Sequence, residues 1–337
     1  MNHVDWNAVR FDPAARDGHV ESWFLKANDP SGDRAIWLKA TIFAPDAAPS
    51  RALAEGWAVC FDRRGGRRRH VGVKHSIPFS HASFDAGGLG ARWQIPSSGD
   101  SFDLSPAATR GAITMGAERV AWDLAFHGDA RPMVPFPSLA LYETRLPRLK
   151  YVTPLPDARF EGEITVGGER WVVGGWRGMQ GHNWGRHAEL YAWSQVNVWD
   201  EDDDFVLEAG SGRVRVGPLL TPMTTIVCVR HRGVVYEMNR PFDLLRARGD
   251  VSFRRYAFSA RGPFARIEGV LEADAEDMVG LNYPNPEGST TYCLNSKVAR
   301  ARVRFEAQGR PPLVITSRAA ALEVGTRDAD HGVRMVA

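Results

Sequence analysis

Residues Glu161–Asp200 read EGEITVGGERWVVGGWRGMQGHNWGRHAELYAWSQVNVWD. Two short runs in this stretch, Glu161–Val166 and Glu169–Val173, flank the dipeptide Gly167-Gly168. Such an arrangement is typical of a β-hairpin, because the turn that fits two twisted strands needs residues that tolerate positive φ. The stretch therefore predicts two antiparallel strands joined by a tight turn.

The same pattern recurs along the rest of the chain. Short apolar or alternating runs flank turn residues at Arg64–Arg67, Arg232-Gly233 and Gly309–Pro311. Helical periodicity is scarce, and only Ser138–Thr144 and Arg240–Arg248 are candidates for a short helix. Many short strands separated by hairpin turns favour a sandwich or a barrel over alternating strands and helices. We therefore predict an all-β protein with antiparallel sheets and little helix.

A weak internal repeat relates the two halves of the chain. Trp23 precedes Cys60 by 37 residues, and Trp193 precedes Cys228 by 35 residues, with strand-like runs between them in both cases. The two segments are 170 residues apart, which is half the length of the chain. A repeat of this kind favours two similar β domains over one large domain.

The length of 337 residues also favours two domains, because single cores rarely grow beyond about 250–300 residues. The boundary is expected between the Pro-rich stretch Pro132–Pro156 and the tryptophan-rich stretch Trp171–Asp200, giving domains of residues 1–175 and 176–337. No flexible linker composition separates the two domains, so they are expected to pack firmly against each other.

Charge and cysteine content exclude several classes of protein. The net charge is +2, and the basic run Arg63–Arg69 lacks interleaved aromatic residues, so no nucleic-acid partner is expected. The three cysteines form no CxxC motif, which is typical of the reducing cytosol. Met1–His19 has no apolar signal-peptide core, and no run approaches the roughly 20 apolar residues of a membrane span. We therefore expect a cytoplasmic protein; peripheral membrane contact and the oligomeric state stay open.

The tryptophan-rich stretch predicts a binding pocket. It holds five of the eleven tryptophans, interleaved with polar side chains. Large rings beside a few convergent polar groups are the make-up of a pocket for a mostly apolar small molecule. His182 and His187 have no third ligand at a recognised spacing, so no metal is expected, and no phosphate or dinucleotide motif implies another cofactor. The residues expected to bind the ligand are Trp176, Asn183, Trp184, Trp193, Gln195 and Asn197.

Two side chains are candidates for a catalytic acid. His182 carries an imidazole, which is able to act as a general acid toward an alkene or a carbonyl; the alternative is a histidine satisfied by backbone bonds at a strand end. Glu208 shares one face of an apolar strand with Asp204 and Val206. If that face borders a dry cavity, burial raises the carboxyl pKa and keeps the group protonated. The alternative is an ordinary solvated glutamate.

Alternation along a strand places Trp193, Gln195 and Asn197 on one face. Large amides beside an indole ring suit a pocket with polar tips; the alternatives are amides that face solvent or bind the backbone of a loop. The hypothesis is that this face and His182 line one cavity, with Glu208 on the adjoining strand.

These motifs resemble those of known families. Asn183-Trp184-Gly185 followed by Trp193–Asn197 resembles the motif of tocopherol cyclase, and His182-x-Trp184-Gly185 resembles that of the carotenoid 1,2-hydratases and AttH-like proteins. Glu21–Asp29 and Tyr283–Gly288 fit the same group. The resemblance implies two tandem lipocalin-like β-barrels, with the ligand in a barrel mouth or at the domain junction.

The resemblance implies a substrate class more strongly than a reaction. Members include acid-catalysed cyclases, hydratases and pericyclases of isoprenoid or polyketide substrates, and lipid-binding proteins without established chemistry. Tocopherol cyclisation itself is not expected, because Ser194-Gln195 replaces the second aromatic residue after Trp193. We predict binding of an isoprenoid, polyketide or lipid-like molecule and its cofactor-free, acid-assisted cyclisation, hydration or isomerisation. The alternatives are a non-catalytic carrier, and an interaction protein whose tryptophans form interface core without a cavity.

Overall fold

The first of two large antiparallel sheets comes from the N-terminal half of the chain. The structure is a computed structural model that describes residues 5–128, 131–144, 147–216 and 218–337. The strands of this sheet are β1 (His19–Asn28), β2 (Arg34–Ala44), β3 (Leu53–Asp62), β4 (Val71–Pro78), β5 (Ser83–Phe84), β6 (Ala91–Ile95), β7 (Asp100–Leu104), β8 (Ala108–Met115), β9 (Glu118–His127), β10 (Leu149–Val166) and β11 (Glu169–Gly185). They follow the order β4-β3-β2-β1-β11-β10-β9-β8-β7-β6-β5.

The second large sheet comes from the C-terminal half. The remaining strands are β12 (Leu190–Val196), β13 (Phe205–Arg213), β14 (Arg215–Val216), β15 (Leu219–Leu220), β16 (Thr224–His231), β17 (Val234–Met238), β18 (Arg248–Ser252), β19 (Arg255–Arg261), β20 (Ala265–Glu272), β21 (Val279–Pro284), β22 (Thr290–Ala307) and β23 (Leu313–Thr326). The main order is β17-β16-β13-β12-β23-β22-β20-β19-β18, with β21 beside β22. Strands β14 and β15 form a separate two-stranded ladder.

Helix is limited to short pieces. The two α-helices are α1 (Ala140–Glu143) and α2 (Pro241–Arg246), and both lie inside the segments predicted from sequence. Single 3-10 turns occupy Pro49–Arg51, Arg64–Gly66, Phe79–His81 and Ala275–Asp277. Within the described ranges, no helix has the length and apolar character needed to cross a membrane.

The predicted hairpins are present, and the all-β prediction is confirmed. Gly167 and Gly168 join β10 to β11 with φ of 54° and 88°. Arg232 and Gly233 join β16 to β17 with φ of 51° and 73°. These are the left-handed backbone conformations that a two-residue hairpin turn requires.

The internal repeat corresponds to a repeated strand order. The series β4-β3-β2-β1-β11-β10 in the first sheet matches β17-β16-β13-β12-β23-β22 in the second. The match is one of topology only, because Trp23 belongs to the core of its own sheet, whereas Trp193 faces the junction. The chain passes between the sheets after Gly185 and before Leu190. The expected boundary at residues 175/176 therefore falls inside β11, which stays paired with β1 and β10 to its end.

Each sheet curls around its own apolar core, and the outer faces of the sheets pack together. Along β1, Trp23 and Leu25 point into the first core, whereas Phe24 and Lys26 point outward to the second sheet. Strands β2 and β3 likewise present an outer apolar face to β21 and β22. This face is buried: its members are Ala35, Trp37, Trp57, Val59 and Phe61, against Val279, Leu281, Tyr283, Cys293 and Val298. The two halves therefore pack firmly, as their lack of a linker predicts.

Candidate ligand cavity and its acid groups

A cavity of about 350 Å³ lies at the junction of the two sheets. Residues of β1, β2, β10 and β11 form one side, and residues of β12, β13, β16, β21 and β23 form the other. Aromatic rings dominate the walls: they include Phe24, Trp37, Tyr151, Tyr191, Trp193 and Tyr283. A volume of this size, with apolar walls and few polar groups, suits one small organic molecule.

His187 contributes a neutral imidazole to the cavity wall. Its Nδ1 lies 2.9 Å from Oδ1 of Asn285, whose amide nitrogen donates to the Ser289 carbonyl and the Thr291 hydroxyl. The Asn285 oxygen is therefore an acceptor, so Nδ1 carries the proton and Nε2 is left as an acceptor. Burial lowers the pKa of His187 to about 4, and its ring stacks on Tyr283 at 5.4 Å.

Lys39 brings a cation to the same end of the cavity. Its Nζ lies 3.8 Å from the ring centre of Tyr283, and the rings of Trp37 and Trp57 are within 6 Å. The side chain is buried, and burial lowers the pKa of Lys39 to about 8. Contacts with aromatic faces stabilise the charged form.

Glu323 is the carboxylate of the cavity wall, and it already has a cationic partner. Its Oε1 accepts hydrogen bonds from Nζ of Lys297 at 2.6 Å and from the amide of Asn295 at 3.2 Å. The Lys297 ammonium also lies over the rings of Trp37 and Trp193. This buried pair links β22 to β23 directly beneath the cavity.

Glu208 lies behind the cavity wall and is hydrogen-bonded to one of the wall residues, Trp193. Its Oε1 accepts from the Thr153 hydroxyl at 2.7 Å and from the indole N–H of Trp193 at 3.0 Å. Its Oε2 is buried and has no hydrogen-bond partner among the described residues. Burial raises the pKa of Glu208 to about 7 in spite of the two donated bonds. A substantial fraction of this carboxyl group is therefore protonated at neutral pH.

His182 faces the other side of β11, toward the core of the first sheet. Its Nδ1 lies 2.6 Å from the Trp6 carbonyl and its Nε2 lies 2.9 Å from Oε1 of Glu21. Both partners are acceptors, so both ring nitrogens donate, and the ring stacks on Trp23 at 4.7 Å. Burial opposes ionisation of Glu21, but hydrogen bonds from His182 and His19 lower its pKa to about 2. The structure thus does not bring His182 and Glu208 to one cavity.

The residues expected to bind ligand fall into two groups. Asn183 and Trp193 line the cavity. Gln195 and Asn197 share the junction face with Trp193, as alternation predicts, but their amides donate to the carbonyls of Pro156 and Gly178. Trp176 belongs to the core of the first sheet, and Trp184 packs against Tyr142 and Val152 under Arg10.

Most cavity residues were not identified from the sequence as ligand contacts, and among them are Lys39, Tyr191, Tyr283 and Glu323. His187 was considered only as a metal ligand, yet the described residues contain no group of three or more His, Cys, Asp or Glu arranged to hold a metal ion. Lys39 carried a usable signal, because it is a charged residue inside the apolar run Ala35–Phe43. Tyr283 and Glu323 carried none, because they come from strands far apart in the sequence.

Comparison with known proteins gives both sequence and fold relatives. A family model described as tocopherol cyclase-like matches residues 150–326. An uncharacterised protein of Mycobacterium tuberculosis, present in strains CDC 1551 / Oshkosh and ATCC 25618 / H37Rv, is 27% identical over 325 residues. The match covers 94% of this chain and 87% of that protein.

Two crystal structures share the fold. An AttH-like protein from Nitrosomonas europaea is 14% identical with a TM-score of 0.50, and the match covers 97% of this chain and 99% of that one. Kievitone hydratase from Nectria haematococca is 11% identical with a TM-score of 0.51, and the match covers 92% of this chain and 90% of that one. The two curled antiparallel sheets are thus the lipocalin-like arrangement implied by the sequence motifs.

Proposed function

Because the chain belongs to the tocopherol cyclase-like family, we propose that it binds an apolar small molecule in the junction cavity and catalyses its acid-assisted cyclisation, hydration or isomerisation. An isoprenoid, polyketide or lipid-like molecule is the class of substrate. The cyclase of the family description and the hydratase of one fold neighbour represent two of these reactions. The proposal includes no redox cofactor.

The observation that carries this proposal is the pairing of an aromatic cavity with a buried acid. Trp193 belongs to both, because its ring lines the cavity while its N–H binds Glu208. The family match contains both residues. A carrier needs apolar walls, but it has no need of a carboxyl group held at a pKa near neutrality.

The reaction begins with protonation of a substrate double bond or carbonyl. A carboxyl group with a pKa of about 7 releases its proton readily at neutral pH, and Glu208 is the proposed source. The tryptophan and tyrosine faces then stabilise the carbocation, by about 0.5–2 kcal/mol per ring. Attack by water, with loss of one of its protons, gives hydration; attack by a group of the substrate, again with loss of a proton, gives cyclisation; loss of a proton from a neighbouring carbon gives isomerisation. In each case the released proton restores the acid form of Glu208.

Glu208 needs a path to the cavity, and Tyr151 is adjacent to it. Tyr151 lines the cavity, and a Cβ placed on Gly210 would lie 2.8 Å from its hydroxyl oxygen. Gly210 follows Glu208 by two residues on β13, so both point to the same side of the sheet. We therefore propose that the proton of Glu208 reaches the substrate on the side where the phenol of Tyr151 lines the cavity.

His182 has a different part in this proposal. Both of its ring nitrogens are taken up by Trp6 and Glu21, and its neighbour Asn183 points into the cavity. We propose that His182 positions the end of β11, with Glu208 as the acid.

The test starts from the bound molecule. Protein purified from its own host is analysed by native mass spectrometry for an apolar ligand, which is then incubated with the enzyme and followed by chromatography. Glu208→Gln keeps the size of the side chain and is expected to lower turnover by roughly 100-fold, the usual scale for a lost general acid. Its affinity for the ligand should change little. If Glu208→Gln leaves the ligand equally bound and no conversion occurs even with the wild type, the protein is a carrier.

A further inference from the structure

Lys39 is a buried cation without a polar partner. Its side chain is 5% exposed and lines the cavity, and it makes no hydrogen bond or ion pair with any residue that the structure describes. Its nearest neighbours are the rings of Tyr283, Trp37 and Trp57. A buried ammonium is costly unless it is paired, so a donor left free at a cavity surface points to a partner supplied by the ligand.

The charges around the cavity do not balance without such a partner. The carboxylate of Glu323 is taken up by Lys297 at 2.6 Å. Glu55, another carboxylate that interacts electrostatically with Lys39, is paired with Lys74 at 2.7 Å. Lys39 therefore remains as a buried, unpaired positive charge at the cavity wall, whereas Arg148, another cation of the lining, is exposed to solvent.

His187 adds an acceptor beside this cation. Its Nδ1 is held by Asn285, so Nε2 is available on a ring that lines the cavity. Lys39 and His187 both pack on Tyr283. An oxygen atom placed between them would accept a hydrogen bond from Nζ and, if it carries a hydrogen, would donate one to Nε2.

We propose that this end of the cavity recognises an acidic oxygen of the ligand, either a carboxylate or a phenol or enol. The ligand is then amphipathic, with an apolar body against the aromatic walls and one acidic group at Lys39. This inference rests on the proposed function, because it specifies what the junction cavity binds. Lys39 is a residue that determines specificity for the acidic group, and it takes no part in proton transfer.

The test uses two matched pairs of small probes at pH 7. The first pair is 4-hexylbenzoate and 4-hexylbenzamide; the second is 4-hexylphenol and 4-hexylanisole. Each pair keeps the apolar body and removes the acidic oxygen. The wild type is expected to prefer the acidic member of at least one pair by about 10- to 100-fold, the range for a hydrogen bond to a charged group. Comparison of the benzoate pair with the phenol pair shows whether the cavity binds a carboxylate or a phenol.

Lys39→Met removes the charge with little change in volume, and it should abolish this preference while the neutral probes bind as before. Lys150→Met is the control, because that lysine donates to the Pro147 carbonyl, makes no ion pair with a carboxylate among the described residues and does not line the cavity. No preference in the wild type, or a preference that survives Lys39→Met, overturns the inference and leaves the binding of apolar ligands standing. If none of the four probes binds, the proposed function fails as well. If Lys39→Met does not fold, the inference is tested by the wild type alone, through its preference for the acidic member of each probe pair.

Discussion

The indole N–H of Trp193 donates a hydrogen bond of 3.0 Å to Oε1 of Glu208. This bond connects a wall of the cavity to the acid behind it, across the neighbouring strands β12 and β13. The same oxygen accepts from Thr153, so the carboxyl group is held in one orientation while Oε2 is left without a partner. The side chain of Trp193 therefore contributes both to the orientation of the Glu208 carboxyl group and to the shape of the cavity.

Trp193→Phe separates these two roles. The phenyl ring keeps an aromatic wall but loses the N–H donor, so the pKa of Glu208 should rise further, because that bond favours the ionised form. The alkaline limb of a pH profile of turnover, where Glu208 loses its proton, should move to higher pH, with ligand affinity changed by less than about tenfold. Trp184→Phe is the control, because the Trp184 ring lies outside the cavity. An unchanged pH profile in Trp193→Phe would show that Glu208 is not the titrating acid.

Glu208 should make the protein less stable as the pH rises. Its pKa is about 7 in the folded protein against 4.5 for an unperturbed glutamate, so the folded state binds more protons between these limits. The free energy of unfolding then falls from about pH 4.5 to pH 7, by roughly 3 kcal/mol in total. Glu208→Gln removes this dependence. Urea unfolding at pH 5 and pH 8 should show the variant gaining stability relative to wild type at the higher pH; equal differences at both values would contradict the prediction.

His182→Ala should act on stability. It leaves the buried carboxylate of Glu21 without its main partner and frees the Trp6 carbonyl, at a cost of about 3–5 kcal/mol in the free energy of unfolding. His187→Ala breaks one side-chain bond at the cavity wall and should cost less. Denaturant unfolding of both variants measures which of them loses more of the free energy of unfolding. A stable His182→Ala protein that binds ligand but does not turn it over would instead make His182 the acid.

Gly325→Ala should narrow the cavity. A Cβ at Gly325 would overlap the ring of Tyr191, which lines the cavity, so the ring must move inward or the strand must shift. Ligand affinity is expected to fall by about tenfold or more. Gly174→Ala is the control, since nothing lies within 4 Å of a Cβ there. Equal affinity in both variants, measured by calorimetry, would mean that the Tyr191 ring does not limit the cavity.

Protonation of the Glu21 carboxylate should destabilise the folded protein at low pH. Its pKa of about 2 lies below the 4.5 of an unperturbed glutamate, so its contribution to stability is complete above pH 4.5 and is lost as the pH falls toward 2. The backbone N–H groups of Arg10 and Phe11 also donate to it, so protonation should release this N-terminal segment first. Hydrogen exchange at pH 5 and pH 3 measures this. Protection of Arg10 and Phe11 that persists unchanged at pH 3 would rule it out.

The sequence by itself determined the strands, the turns and the face of each side chain. Alternation placed Trp193, Gln195 and Asn197 together, and the glycines of the β10–β11 turn specified a hairpin. These are local properties, fixed by the two-residue period of a strand and by the φ that a turn demands. Alternation also separates His182 from Asn183, but which of the two faces the ligand is not a local property.

Only the tertiary structure decided which faces enclose the cavity. The outer side of the first sheet packs on the second, so Lys39, Asn183 and Trp193 meet there, whereas His182 turns into the first core. Tyr283 and Glu323 reach the same place from strands that are close only after the second sheet has formed. The raised pKa of Glu208 has the same origin, because desolvation depends on what covers a carboxyl group and not on its neighbours in the sequence.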